Sequence, residues 1–176
     1  EGAERAERTK AVAGFIVVDR YGKRYTDENH NTCVSHEMLG YESKKRFYPR
    51  VPSYWIMDQK RITDGPVAMV DSGPAGPCGL YRWSRDNSAE VERGWIKRAD
   101  TVKDLAGILG MEDPQVLVET VKNYNSYCEH GEDRDYGRPS AELIPLNNPP
   151  YYATEVWPGG PNTFGGPRRN AKSQVM

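Results

Sequence analysis

The sequence predicts an α+β fold, a small mixed or antiparallel sheet with a packed helical hairpin. Short runs rich in β-formers recur at residues 14–18, 53–58, 95–100 and 151–157. The last of them alternates, with Tyr152, Thr154 and Val156 on one side and Tyr151, Ala153, Glu155 and Trp157 on the other. Between residues 101 and 131, two stretches of helical spacing follow one another across a short turn, each with its own start and stop signals. Helices joined in this way bury their apolar stripes together against a neighbour, and the sheet is the neighbour at hand. No repeat at a fixed period interrupts this reading.

Residues 1–11 carry Glu1, Glu4, Arg5, Glu7, Arg8 and Lys10 with almost no apolar face, and read as a linker or frayed start. Residues 12–148 form the main unit. Gly14-Phe15-Ile16-Val17-Val18, a turn through Asp19 to Gly22 and then residues 23–28 predict a hairpin, which sets Arg24 and Glu28 on one face of its second strand. Residues 29–46 are polar, with a helix through His36, Glu37, Met38 and Leu39 as the best local reading. Ser53 to Asp58 is a buried strand whose end is expected to expose Asp58, Gln59, Lys60 and Arg61.

Residues 63–86 read as loop. Their glycines are interleaved with Pro66, Pro74 and Pro77, which argues against the strand before and the helix after that a phosphate-cradling turn needs. Trp95 to Asp100 makes a further strand. Thr101 with Asp104 resembles a capping box, Leu105, Ile108 and Leu109 make a stripe, and Gly110 suits the stop. Asp113 caps the second helix, Pro114 takes its first position, and Val116, Leu117, Val121, Tyr124 and Cys128 recur until Gly131.

By composition, residues 131–148 are a linker. Residues 149–176 then open on a strand and pass into glycine and proline. Gly159, Gly160, Gly165 and Gly166 leave room for a flat ligand or another chain to approach the backbone, while a plain surface loop fits the same residues. The end, residues 171–176, looks like a strand begun without a closing turn, as in a fragment of a longer protein.

A chain of 176 residues is long enough for one domain with its own core, yet 37% hydrophobic content and a mean hydropathy of −0.80 are low, which points to reliance on a partner surface. Lys and Arg number 24 against 25 Asp and Glu, so no global field draws the chain to nucleic acid or an anionic membrane. Tyr and Trp residues lack the basic stripe of a nucleic-acid stacking platform. No apolar run approaches the ~20 residues that span a bilayer. Cys33, Cys78 and Cys128 are odd in number and widely spaced, which fits reduced thiols and a cytoplasmic setting. His30, Cys33 and His36 invite a zinc reading but lack a fourth ligand, so no metal is expected.

Several segments in series carry a resemblance. Gly14 through Glu28, with its apolar run followed by Gly22-Lys23-Arg24-Tyr25 and Asp27-Glu28, resembles the fumarate reductase and succinate dehydrogenase flavoprotein family, which includes 3-ketosteroid dehydrogenases and urocanate reductases. Tyr54 to Asp58 is similar to the family's aromatic-apolar-Asp strand. Asp100 to Ala106, Thr120 to Asn125 and Gly131 to Arg138 are similar to its helical pair and the Asp-Phe-Gly-Arg that follows. Pro150-Tyr151-Tyr152-Ala153 and Thr163-Phe164-Gly165-Gly166 complete the series.

This resemblance implies a substrate-capping domain of an FAD-dependent oxidoreductase acting on C=C or CH–CH bonds. The FAD-binding domain of the same parent protein would lie on both sides of it, and FAD would be bound mainly by sequence absent from this chain. The implied catalytic residues are Arg61 and Glu28, with Lys60 competing for the first role. Asn162 and Thr163 would meet a small-molecule substrate, and Gly165 and Gly166 the cofactor. Asn162 stands where fumarate reductases often carry a carboxylate-binding His, so a dicarboxylate substrate is disfavoured. Each assignment has a plainer counterpart: a solvated loop charge for Arg61, an ion pair with Arg24 for Glu28, turn residues for Asn162 and Thr163. Arg168 and Arg169 would meet a carboxylate or flavin phosphates, or lie exposed. The alternative to the whole reading is a free-standing binding domain with this fold and no redox role.

Overall fold

The computed structural model describes residues 14–28, 31–68, 81–159 and 166–176. Its centre is a four-stranded antiparallel sheet of β1 (Phe15–Val18), β2 (Ser53–Asp58), β3 (Ile96–Ala99) and β4 (Tyr151–Val156), in the order β1-β2-β4-β3. Helices α1 (Asn31–Met38), α2 (Gln59–Thr63), α3 (Ser88–Glu92), α4 (Val102–Ile108) and α5 (Pro114–His130) surround it. The expected α+β class holds, and the sheet is antiparallel throughout.

Because side chains alternate along a strand, the sheet sorts its residues into two cores. Ile16, Val18, Tyr54, Ile56 and Ala153 face the α4–α5 hairpin, where they meet Leu105, Ala106, Leu117, Val121 and Tyr124. Phe15, Val17, Met57, Ile96 and Tyr152 face the other way and pack with Met38 of α1, Ile62 of α2 and Val67. Burial on both faces explains why β1 reads as an unbroken apolar run.

The helical hairpin has the expected caps. Thr101 Oγ1 accepts the Asp104 amide at 3.0 Å and donates to its carboxylate, Asp113 Oδ1 accepts the Gln115 amide at 3.0 Å, and Pro114 occupies the first turn, where a missing N–H costs nothing. Gly110 and Gly131 follow their helices at φ +69° and +71°, a conformation that side chains disfavour. Ile108, expected in the apolar stripe, is exposed.

Other expectations are corrected. Residues 23–28 do not form the second strand of a hairpin; Val18 and Arg24 make a single bridge. Side chains complete the edge of β1 instead, for Glu28 Oε1 accepts the Val17 amide at 3.2 Å and Arg138 Nη1 donates to the Phe15 carbonyl at 2.9 Å. Residues 131–148, expected as a linker, contribute buried Asp133, Arg138, Leu143 and Leu146. Asn125 of α5 holds both backbone groups of Leu146, which draws that segment onto the helix. β4 is an inner strand between β2 and β3. Residues 88–92 form α3, which helical spacing did not announce, and the last residues turn back on themselves through an Arg169–Val175 bridge.

Candidate functional site

Asp58 ends β2 and caps α2: its Oδ1 accepts the Arg61 amide at 3.1 Å, while its Oδ2 accepts both the backbone and side-chain N–H groups of Asn148 at 3.0 Å. Asp58 is 2% exposed and Arg61 6%, so neither is the solvated charge that a strand end suggests. The helical turn places Lys60 and Arg61 in opposite environments. Lys60 reaches out to Asp64 at 2.6 Å, whereas Arg61 runs inward past Gly14, where an added Cβ would sit 3.3 Å from the Arg61 Cβ.

The Arg61 guanidinium donates to the carbonyls of Gly65 at 3.1 Å and Pro66 at 3.2 Å. These bonds occupy two of the five donors an arginine carries, and the remaining ones meet no acceptor among the described residues. Burial pulls the Arg61 pKa below its ordinary value, and the more distant charge of Asp64 offsets this only in part. A buried cation held by neutral carbonyls keeps donors free for an incoming oxygen or carbon.

Glu28 lies in a different setting. Arg24 grips it with Nε and Nη2, both at 2.8 Å, Arg138 Nη1 lies 3.4 Å from Oε2, and the Val17 amide supplies a fourth contact. Arg24 also donates to both oxygens of Asp133, at 3.1 and 2.8 Å. The Arg24 and Arg138 guanidiniums flank the Tyr124 ring, 5.1 and 5.9 Å from its centroid. Burial alone would lower the Arg24 pKa, but hydrogen bonds and charge from Glu28 and Asp133 win and raise it. For Asp133 burial pushes upward, and Arg24 more than compensates, so the carboxyl sits below its usual range.

Two cations and two carboxylates thus neutralise one another at the edge of β1. This is the ion-pair reading of Glu28, enlarged by Asp133 and Arg138, which residue spacing left unseen. No hydrogen bond or ion pair joins Glu28 to Arg61 among the described residues.

Asn162, Thr163 and Gly165 lie outside the described residues. Gly166 has φ +125°, and a Cβ there would meet nothing within 4 Å, so its backbone is open to approach. Arg168 and Arg169 are exposed. Arg61 stands where β2 ends opposite the start of β4, Asp58 against Tyr151, whereas the segment leading to Gly166 leaves from the far end, where Val156 pairs with Ser53. A surface hollow of about 340 Å³ between Trp83, Trp95, Lys97, Leu109, Thr154 and Glu155 contains neither Arg61 nor Glu28.

For a metal, His36 is exposed and His30 and the Cys33 side chain lie outside the described residues; among the described residues no His, Cys, Asp and Glu side chains gather around a metal-sized space. No helix among them is long and apolar enough to cross a membrane.

With this geometry in hand, the comparisons with known proteins are decisive on one point. A family model described as FAD binding domain matches residues 4–176. The chain belongs to that family. Digoxin reductase of Eggerthella lenta is 30% identical over 162 residues, which are 92% of this chain and 26% of that protein. The structure of 3-ketosteroid Δ1-dehydrogenase from Sterolibacterium denitrificans, in complex with 1,4-androstadiene-3,17-dione, superposes over 96% of this chain and 31% of its own, with a TM-score of 0.65 and 26% identity. The solution NMR structure of a fumarate reductase flavoprotein subunit from Lactobacillus plantarum shares the fold at a TM-score of 0.60 and 21% identity, over 87% of this chain and 88% of that one. The chain therefore spans about a quarter to a third of the longer proteins it matches, and the resemblance to the fumarate reductase and 3-ketosteroid dehydrogenase flavoproteins holds.

Proposed function

We propose that this chain is the substrate cap of an FAD-dependent oxidoreductase that reduces an activated C=C bond or runs the reverse dehydrogenation. The observation that carries the reading is Arg61, buried and, among the described residues, without a carboxylate partner and with unused donors, in a chain that belongs to an FAD-binding family.

FAD, when bound, supplies the hydride acceptor or donor. The residues here have other tasks. Arg61 gives a proton to the carbon opposite the hydride, or takes it in reverse, and its lowered pKa brings an otherwise very weak acid toward that task. Asn162 and Thr163 hydrogen-bond the substrate, and the cap as a whole excludes water. Gly165 and Gly166 let the main chain come close to the flavin ring, which the open approach at Gly166 suits. The FAD-binding domain of the parent protein is the partner that holds the cofactor, and the isolated chain is inactive. Glu28 serves by holding β1 in place rather than by carrying a proton.

A keto-steroid or similar bulky enone fits the relatives' names, and Asn162 argues against a dicarboxylate because it adds no positive charge. The free thiol of Cys128 suits a cytoplasmic enzyme. The test is the absorbance of the intact parent protein: a flavin spectrum that bleaches under anaerobic reductant and recovers on adding 1,4-androstadiene-3,17-dione or another enone supports the reading. A colourless, flavin-free parent protein sinks it.

A further inference from the structure

Asn87 is fully buried, in α3's cap position, with φ +63° and ψ +6°, a left-handed conformation that asparagine tolerates better than most residues. Its amide makes four hydrogen bonds, as many as its two donors and two lone pairs permit. Nδ2 donates to the carbonyls of Ile62 at 3.1 Å and Gly65 at 3.0 Å, while Oδ1 accepts the Val67 amide at 2.8 Å and the Trp83 indole N–H at 2.9 Å. One side chain thus fixes three backbone groups of the last turn of α2 and the loop after it, and Gly65 O is shared with Arg61 Nη1.

We propose that Asn87 is the positioning residue of Arg61, holding the Gly65–Pro66 carbonyls where they aim the guanidinium, so that reactivity at Arg61 depends on an amide more than twenty residues away in sequence. This rests on the reading of Arg61 as the proton donor. The residue type follows from the geometry. Glycine would accept the left-handed backbone but leave two carbonyls and two N–H groups without their partner. Aspartate would keep the bonds to Val67 and Trp83 but set a carboxylate oxygen against the Ile62 and Gly65 carbonyls. Glu90, the other buried polar residue of α3, accepts from Tyr81 and Ser84 and so anchors the helix that carries Asn87.

The test labels arginines with phenylglyoxal in the 176-residue chain and reads each site by peptide mass spectrometry, in wild type, Asn87→Gly and Asn87→Asp. Arg24 and Arg138, equally buried but tied into the carboxylate cluster, serve as internal references. The inference predicts that Arg61 labels faster by roughly tenfold or more in both variants, the local opening expected when a buried amide loses its bonds, with the references unchanged. Protection of Arg61 in both variants overturns it, and so does a parallel rise at all three sites, which marks Asn87 as a residue of general stability. In the intact flavoprotein, with 4-androstene-3,17-dione and an artificial electron acceptor, Asn87→Asp should lower kcat about tenfold with KM within about twofold, since ground-state binding does not use Arg61's aim. Wild-type turnover by Arg61→Gln in the same assay would remove the proton-donor reading and leave the labelling result intact, so the two failures are distinguishable.

Discussion

Two buried arginine sites, one at the edge of β1 and one on α2, are built on opposite principles. Arg24 pairs with Glu28 and Asp133 and Arg138 with Glu28, and both guanidiniums lie over the Tyr124 ring. Among the described residues Arg61 has only carbonyls. A compensated cluster spends its charge on itself, and breaking it leaves an unpaired charge in the core. An uncompensated cation spends little of its charge internally and has donors to offer. Under the proposed function, that contrast separates arginines that hold the fold from the one assigned to chemistry.

The comparison breaks first at Glu28. Glu28→Ala leaves two buried guanidiniums short of a carboxylate and strips the Val17 amide of its acceptor, so the chain should lose roughly 3–5 kcal/mol in urea unfolding. A loss below about 1 kcal/mol would mean that the cluster is not the brace of β1.

Acid probes the same cluster through Asp133. Its folded pKa is depressed, so its contribution is fully present above its ordinary 3.8 and disappears as pH falls through the lower folded value. Asp133→Asn should therefore flatten the acid limb of the stability curve below about pH 4, as followed by circular dichroism; an unchanged limb would assign acid unfolding elsewhere. Thr101→Ala supplies the scale of an ordinary local device, about 1 kcal/mol for a lost cap. At the small end, Arg61→Met should shift stability by no more than about 1 kcal/mol, because no ion pair among the described residues is broken and an apolar side chain fills the space.

The same contrast marks what was legible in the sequence. Strands β2, β3 and β4 and the α4–α5 hairpin announce themselves locally, by alternation along Tyr151–Val156 and by Thr101, Gly110, Asp113 and Pro114 at the helix ends. The buried cluster does not, since Arg24 meets Asp133 across 109 positions and Arg138 meets Phe15 across 123. Spacing within residues 23–28 suggested a strand because nothing local tells that Glu28 and Arg138 will complete the edge of β1. As a residue type Arg61 reads as a solvated charge, because arginines are mostly exposed. What buries it is the carbonyl pair of Gly65 and Pro66, pinned by Asn87 from another segment, and the missing side chain at Gly14. The nearest signal was the pairing of Gly65 with Pro66, a turn that offers carbonyls and, at proline, no competing N–H.

The most direct measurement is turnover by the Arg61→Gln variant of the intact flavoprotein, with 4-androstene-3,17-dione as donor or fumarate as acceptor, whichever the wild type uses, at matched flavin content and thermal stability. The account predicts a fall of roughly 10²- to 10⁴-fold, the range for a lost general acid or base, with the flavin spectrum unchanged. Turnover within about twofold of wild type would contradict it and leave Arg61 a buried cation without a chemical task.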